Sequence, residues 1–285
     1  MEVVKEQNDI KKLQNNKVLG EIPELQNSII EFSGSNNVLY CESSVVIKDS
    51  ILKFKGNNSL IFLGANRHSY IMNVIIYHNS VFHMGVNNYM NGEFGKKLFV
   101  MISEQKHCFI GDNCYFSFGV CIRNSDSHLI YDCISLNRIN PTKSVFVGDH
   151  VWIGQDCTLL KGIQIDSGSI IGANSLVAGK RISSNTLWAG NPCRKIKDNV
   201  FWDRRLCHDF EDDISDDSNN YATFVSKHMN GCTPRYWIHE FEAENCVSYE
   251  ELERHLSAKE SAEKKAEYLM EFNKKKSKNR FVHNI

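Results

Sequence analysis

Between residues 147 and 182 the sequence VGDHVWIGQDCTLLKGIQIDSGSIIGANSLVAGKRI places an aliphatic side chain at every sixth position: Val147, Ile153, Leu159, Ile165, Ile171 and Val177. Gly148, Gly154 and Gly172 each follow one of them directly. A period of six suits neither an amphipathic helix, which repeats at about 3.6 residues, nor a strand that only alternates. It suits a strand that turns a corner every six residues. Three such sides close one triangular coil, and coils stack about 4.8 Å apart through parallel pairing. The expected fold is therefore mainly β, a parallel β-solenoid with its aliphatic residues inside the prism.

The pattern extends unevenly toward the N-terminus. Ile110, Phe116 and Ile122 hold the six-residue phase, and Leu39, Val45 and Ile51 hold it briefly before it slips among short apolar pieces divided by Asn, Gly and Ser. From Ile122 to Val147 is 25 residues, one more than a multiple of six, and the intervening stretch is largely polar. That slip predicts a loop that leaves the coil and returns, a common place for function on a rigid scaffold. The expected organisation is a polar lead-in over 1–27 with a short helix near Ile10 and Leu13, a solenoid over 28–197 with a functional loop at 123–146, and an extension over 198–285. The extension opens on the acidic linker DFEDDISDDSNN. It continues in a helix announced by Ser248 and Glu251, a capping-box pair, with Leu252, Leu256, Ala262, Ala266 and Leu269 on one broad face, and closes on a solvated basic KKKSKNR.

The 33 Lys and Arg nearly balance 34 Asp and Glu, which argues against a nucleic-acid footprint or a polybasic membrane anchor. No apolar run approaches the ~18 residues that span a bilayer, and the start lacks the apolar segment of a secretory signal, so a cytoplasmic location is expected. The 10 cysteines are scattered, several of them within repeats, and read as reduced packing residues.

Three segments carry a resemblance. Gly148 to Gly154 (GDHVWIG), Ile171 to Ser175 (IGANS) and Ala189 to Arg194 (AGNPCR) are similar to the left-handed β-helix acyltransferases that use acetyl-CoA, most closely the O-acetyltransferases of bacterial capsular polysaccharides of the polysialic acid type. The resemblance covers roughly residues 105 to 200. It implies a left-handed coil, acetyl-CoA as co-substrate without a metal, a glycan acceptor, and a homotrimer with active sites between subunits.

Acetyl transfer to a sugar hydroxyl needs a base, because an alcohol attacks poorly until its proton is removed. An imidazole titrating near neutrality suits that task. A loop histidine is ordinarily a surface residue. Here Arg123 to His128 reads Arg-Asn-x-Asp-x-His, the pattern in which the family places its catalytic histidine, which marks His128 as the general base. Asn124 and Asp126 are candidates for binding substrate or orienting the imidazole, and equally for shaping the turn. Arg138 is a candidate partner for a sugar carboxylate. Trp152 precedes the inward Ile153, so alternation turns its indole outward, to a subunit interface or, as the resemblance implies, to the active site.

Coenzyme A needs a groove for an extended chain and cations for its phosphates. Gly154, Gln155 and Ala173 are small or polar corner residues, and Lys180, Arg181, Arg194, Lys195 and Lys197 form a basic group near the end of the repeat. The extra residue in VAGKR leaves Lys180 and Arg181 as alternatives. Other readings are N-acetylation of a nucleotide-sugar amine or small amine, a zinc hydratase using the His78 and His83 pair, and a non-catalytic scaffold.

Overall fold

Strand after strand in the chain pairs in parallel with the strand one coil later. Ile30 lies beside Leu52, Leu52 beside Val74, Val100 beside Ile122, Ile122 beside Leu159 and Leu159 beside Val177. A computed structural model describes residues 1–229, 246–274 and 279–282. Its strands form three faces of a solenoid: two eight-stranded sheets and a third face of six strands, with a two-stranded piece above it. The six hexad residues from Val147 to Val177 are wholly buried, as the repeat requires.

The slipping phase of the early coils has a simple cause. Paired residues there are 22 apart, as in Ile30 to Leu52, whereas Leu159 and Val177 are 18 apart. The upper coils have longer sides, with strands of four residues such as Ile51–Phe54 and Leu60–Leu63, so a search at period six finds them only in fragments. Asparagines mark many of the corners. Asn58 and Asn79 take left-handed φ of 60° and 56°, a region that Asn tolerates, and their side chains stack by a 2.8 Å hydrogen bond.

The N-terminal boundary is earlier than expected. Lys17–Gly20 already pairs with Val38–Cys41, and Glu24–Gln26 with Val46–Lys48, so only about the first 16 residues precede the stack. Those residues cap it. Glu2–Val4 runs antiparallel to the top strand, and the Glu2 carboxylate accepts from the backbone of Gln14 and Asn15. The expected helix is the short α1 (Gln7–Ile10).

The C-terminal extension folds differently from the expectation in three respects. The acidic stretch forms a helix, α2 (Asp212–Ser218), followed by α3 (Tyr221–His228). The single broad-faced helix is two, α4 (Tyr249–Ser257) and α5 (Ala262–Lys274), with Ser248 capping the Glu251 amide. Their Leu252, Leu256, Ala262, Ala266 and Leu269 bury a ladder on the outer side of the second face, where Tyr40, Phe62, His83 and Phe109 stack ring on ring at 4.6, 5.0 and 4.1 Å. The strands of that face are apolar on both sides because both sides are covered.

The third difference is at the basic end. Residues 275–278 lie outside the described residues, but Arg280 is only 2% exposed. Its guanidinium bonds both Asp149 oxygens, at 3.1 and 2.7 Å, and lies 3.0 Å from Asp112, while Phe281 packs in the ring ladder. Replacing Arg280 by Ala leaves two carboxylates without their cation. Loss of about 3–5 kcal/mol in denaturant unfolding is expected, and a change below about 1 kcal/mol would contradict the clamp.

Three histidines, His83, His107 and His150, are buried as well. Burial lowers each to about 3, against hydrogen bonds to the Ile110 and Trp202 carbonyls that favour the charged form of His83 and His150. Because the folded values lie below the unfolded value, stability is fully present above about pH 6.5 and is lost as the pH falls toward 3, by up to about 1.4 kcal/mol per pH unit for each histidine. Asp112, raised by burial to about 6, opposes this trend between pH 6 and its unfolded value. The unfolding midpoint should therefore fall between about pH 7 and pH 5, and a flat profile over that range would overturn the assignment.

Candidate active site

The loop that breaks the hexad phase leaves after Cys121–Arg123 on the first face and rejoins at Val145–Val147 on the second. Its base is pinned by Asn124. That side chain is fully buried, with its oxygen accepting from the Ser103 amide at 2.9 Å and its nitrogen donating to the Ser103 carbonyl at 3.1 Å. Both polar groups of Asn124 are engaged on the preceding coil, where they pin the start of the loop.

Beyond the base, one residue that the sequence did not single out organises the loop. Asn140, 6% exposed, donates to Asp126 at 3.0 Å and to the carbonyl of His128 at 2.8 Å, and accepts from the Ile130 amide at 2.9 Å. Asp126 also accepts from Lys161 at 2.5 Å, and these two contacts hold its pKa below the usual carboxylate value. Asp126 thus fixes the backbone that carries His128 rather than orienting the imidazole. The ring of His128 is exposed at the loop surface.

Arg138 also departs from its expected role. It makes a two-pronged pair with Glu104 at 2.9 and 2.8 Å, so its charge is already matched within the chain. The rest of the loop is a hairpin bridged between Tyr131 and Arg138. Its tip is apolar and open, with Ile134 94% and Leu136 74% exposed.

Trp152 stands on the third face with its indole outward, 39% exposed. It lines a groove of about 300 Å³ with Tyr115, Ser117, Phe118, Gln155 and Trp202. Trp202 comes from the segment just after the solenoid. It stacks on His150 at 4.1 Å, donates to the His150 carbonyl at 2.9 Å and so builds one wall of the groove. Among the described residues the indole N–H of Trp152 has only a long 3.5 Å contact to Ser117. Among the described residues no contact joins Trp152 to His128, and the two lie on different sides of the prism.

The expected coenzyme residues divide. Gly154 is required by packing, since a Cβ there would meet the Ala173 backbone nitrogen at 2.6 Å, while Ala173 itself is an exposed corner. The Gln155 side chain donates to Asp156 at 3.1 Å. Arg181 is drawn to Glu250 of α4, which removes it from the basic group, and Lys195 pairs with Asp198 at 3.0 Å. Lys180, 5.9 Å over the Trp188 ring, and the exposed Arg194 and Lys197 have no carboxylate partner among the described residues. A hollow of about 370 Å³ beneath the His128 loop, lined by Arg123, Ser125, Asp126, Lys143 and Lys161, adds the cations Arg123 and Lys143 that sequence reasoning missed, while Lys161 is paired with Asp126.

The zinc reading fails on geometry. His83 is buried between the Phe62 and Phe109 rings and bonds Ile110, whereas His78 accepts from the Asn57 amide, so the pair does not converge.

Residues 144–179 match the family described as bacterial transferase hexapeptide (six repeats). The polysialic acid O-acetyltransferase of Neisseria meningitidis is 30% identical over 176 residues, which cover 61% of this chain and 79% of that protein. A crystal structure of a polysialic acid O-acetyltransferase superposes with a TM-score of 0.53 at 24% identity, over 70% of this chain and 96% of the other. That of a polysialic-acid-specific acetyltransferase gives 0.50 at 26%, over 74% and 93%. Fold and repeat together define a left-handed β-helix acyltransferase. The chain belongs to the hexapeptide-repeat acyltransferase family, close to the polysialic acid O-acetyltransferases, and is an O-acetyltransferase.

If Asn140 holds the catalytic loop, Asn140→Ala should speed amide hydrogen exchange across about residues 126–140 and lower kcat about tenfold or more, while the KM for the acyl donor changes little. Unchanged exchange and unchanged kcat would show the hub to be dispensable.

Proposed function

We propose that the protein transfers the acetyl group of acetyl-CoA to a hydroxyl of a sialic-acid-containing capsular polysaccharide, with His128 as general base. The observation that carries this reading is an exposed imidazole on a loop whose backbone is fixed by Asn140, Asp126 and Lys161. His128 takes the hydroxyl proton as the oxygen attacks the thioester carbonyl. The tetrahedral intermediate collapses with cleavage of the carbon–sulfur bond, and the protonated imidazole returns its proton to the departing sulfur. The sugar ester and the CoA thiol are the products. The weakly engaged indole N–H of Trp152 is suited to donate to the intermediate's oxyanion. Lys180, Arg194 and Lys197, which lack carboxylate partners among the described residues, suit the CoA phosphates.

The site needs a second copy. Within one chain Trp152 and His128 are apart, and the apolar tip at Ile134 and Leu136 is uncovered. A homotrimer, in which each loop packs on the neighbour's Trp152 groove, both covers the tip and completes the pair. A cytoplasmic location agrees with the acyl donor and with the cysteines Cys41, Cys108, Cys114, Cys157 and Cys193, which are buried as free thiols. Among the described residues no helix is long and apolar enough to cross a membrane.

His128→Ala should lower acetyl-CoA-dependent thiol release with polysialic acid by about 10²–10⁴-fold while the oligomer remains intact. Turnover near that of the unaltered protein would sink the assignment. An alkali-labile ester in the product distinguishes O-transfer from transfer to an amine.

A further inference from the structure

Two guanidinium groups meet at Asn87 without a carboxylate partner. Arg67 donates through Nε to the Asn87 side-chain oxygen at 2.9 Å. Arg204, from the segment after the solenoid, donates to the backbone carbonyls of Asn87 and Asn113 at 3.1 and 2.9 Å. Neither forms an ion pair among the described residues, although like charges in proximity repel. The imidazole of His68 feels both: burial, then Arg204 and Arg67, lower its pKa. Among the described residues no carboxylate balances the cluster.

The surroundings suit a polymer. On the outer side of the third face Tyr89 stacks on Tyr115 at 4.7 Å, His68 meets Tyr89 edge-on at 5.1 Å, and Trp152 is the register partner of Tyr115 one coil further on. This ladder runs continuously from the Arg67 cluster to the Trp152 groove. A hollow of about 620 Å³, lined by Lys48, His68, Tyr89 and Lys97, shares Asn91 and Glu93 with that groove, so the two adjoin on this face. Lys48 and Lys97 line the hollow and Arg204 lines the groove, while Arg67 joins them from outside both linings through Asn87; the acids lining the two outside the Asp203–Arg205 pair are Asp49 and Glu93. Two coils separate Tyr89 from Trp152, about 10 Å along the solenoid. A group held at the cluster therefore belongs to a different sugar unit from the one that reacts.

We propose that the Arg67, Arg204, His68 and Tyr89 cluster is a remote subsite that grips a carboxylate of an acidic glycan chain, so that the enzyme selects polymer over short acceptors. The proposal rests on the acceptor class proposed above. The ladder gives an apolar wall with phenol hydroxyls, and the guanidiniums give paired donors for a planar carboxylate.

The test compares Arg67→Glu, Arg67→Lys and Arg204→Gln with the unaltered protein. Arg67 is exposed, so its replacement leaves the core untouched. Arg67→Glu should raise the KM for long polysialic acid by about tenfold or more, raise that for a disialyl acceptor much less, and leave kcat nearly unchanged. Arg67→Lys should recover much of the loss, and Arg204→Gln should reproduce it. Equal KM changes for long and short acceptors, or none, would overturn the subsite while leaving the acetyltransferase reading in place. A second arm titrates polysialic acid into the full-length His128→Ala protein by calorimetry. If the unaltered protein acetylates no sialyl polymer, yet His128→Ala binds one in a manner abolished by Arg67→Glu, the subsite stands and the acceptor reading falls. Absence of binding together with absence of transfer overturns both.

Discussion

Everything in the molecule depends on the parallel register between coils. Each strand is hydrogen-bonded to the one above and the one below, and the inward residues Leu52, Val74, Val100, Ile122 and Leu159 line up as one wholly buried column. A one-residue slip would turn this column outward, so register is strongly specified. The consequence for function lies at the phase break. Paired residues there, Ile122 and Leu159, are 37 apart, yet they meet in register because the chain is held on both sides of the loop. The coil fixes where the loop begins and ends. Asn140 and Lys161 then fix its interior, so a residue exposed to solvent is still held in place.

The second constraint is the uncovered surface that a solenoid creates. Its ends and faces offer unpaired strand edges and apolar rings, which invite association. The N-terminal segment closes the top with an antiparallel strand, and the strand Arg194–Lys197 closes the third face below by the same device. The second face is closed by α4 and α5 and by the tail, where Arg280 and Phe281 reach the solenoid. The Arg280 clamp brings a cation to Asp149 in the loop after Val147, in the GDHVWIG segment that also holds His150 and Trp152. The extension and the most regular part of the repeat are therefore one structural unit.

Much of the fold was legible in the sequence because a solenoid is quasi-one-dimensional: a period is both a sequence property and a coil length. The hexad residues, the outward Trp152 and the Ser248 cap were readable for that reason. The 22-residue coils were not, because their sides exceed six residues. Nor was the burial of Arg280, since basic composition ordinarily means a solvated end and only the fold places Asp112 and Asp149 opposite it. One signal was available: VLYC, LIFL and HCFI are apolar at consecutive positions, which betrays a strand covered on both sides. The candidate site was legible as a loop and a histidine. Its supports were not, because Asn140, Lys161 and Trp202 come from three separate places and have no common motif.

The arrangement separates chemistry from recognition along one rigid axis. Proton transfer demands an imidazole placed within hydrogen-bond reach of one hydroxyl, and in the mechanism we propose the loop at the corner between the first and second faces presents it. A long acidic chain, the acceptor we propose, needs an extended surface, and the third face has one whose outward residues repeat once per coil, as Tyr89, Tyr115 and Trp152 do. Such a face grows by adding coils without disturbing the reacting end, because each coil contacts only its neighbours. The early, larger coils follow from the same logic. They lie outside the stretch that matches the hexapeptide family, and they carry the hollow on the third face that reaches past Tyr89 to His68 and Lys48. On the proposed reading, acceptor choice can change in these coils while the His128 loop, four or more strands away in sequence, keeps its geometry.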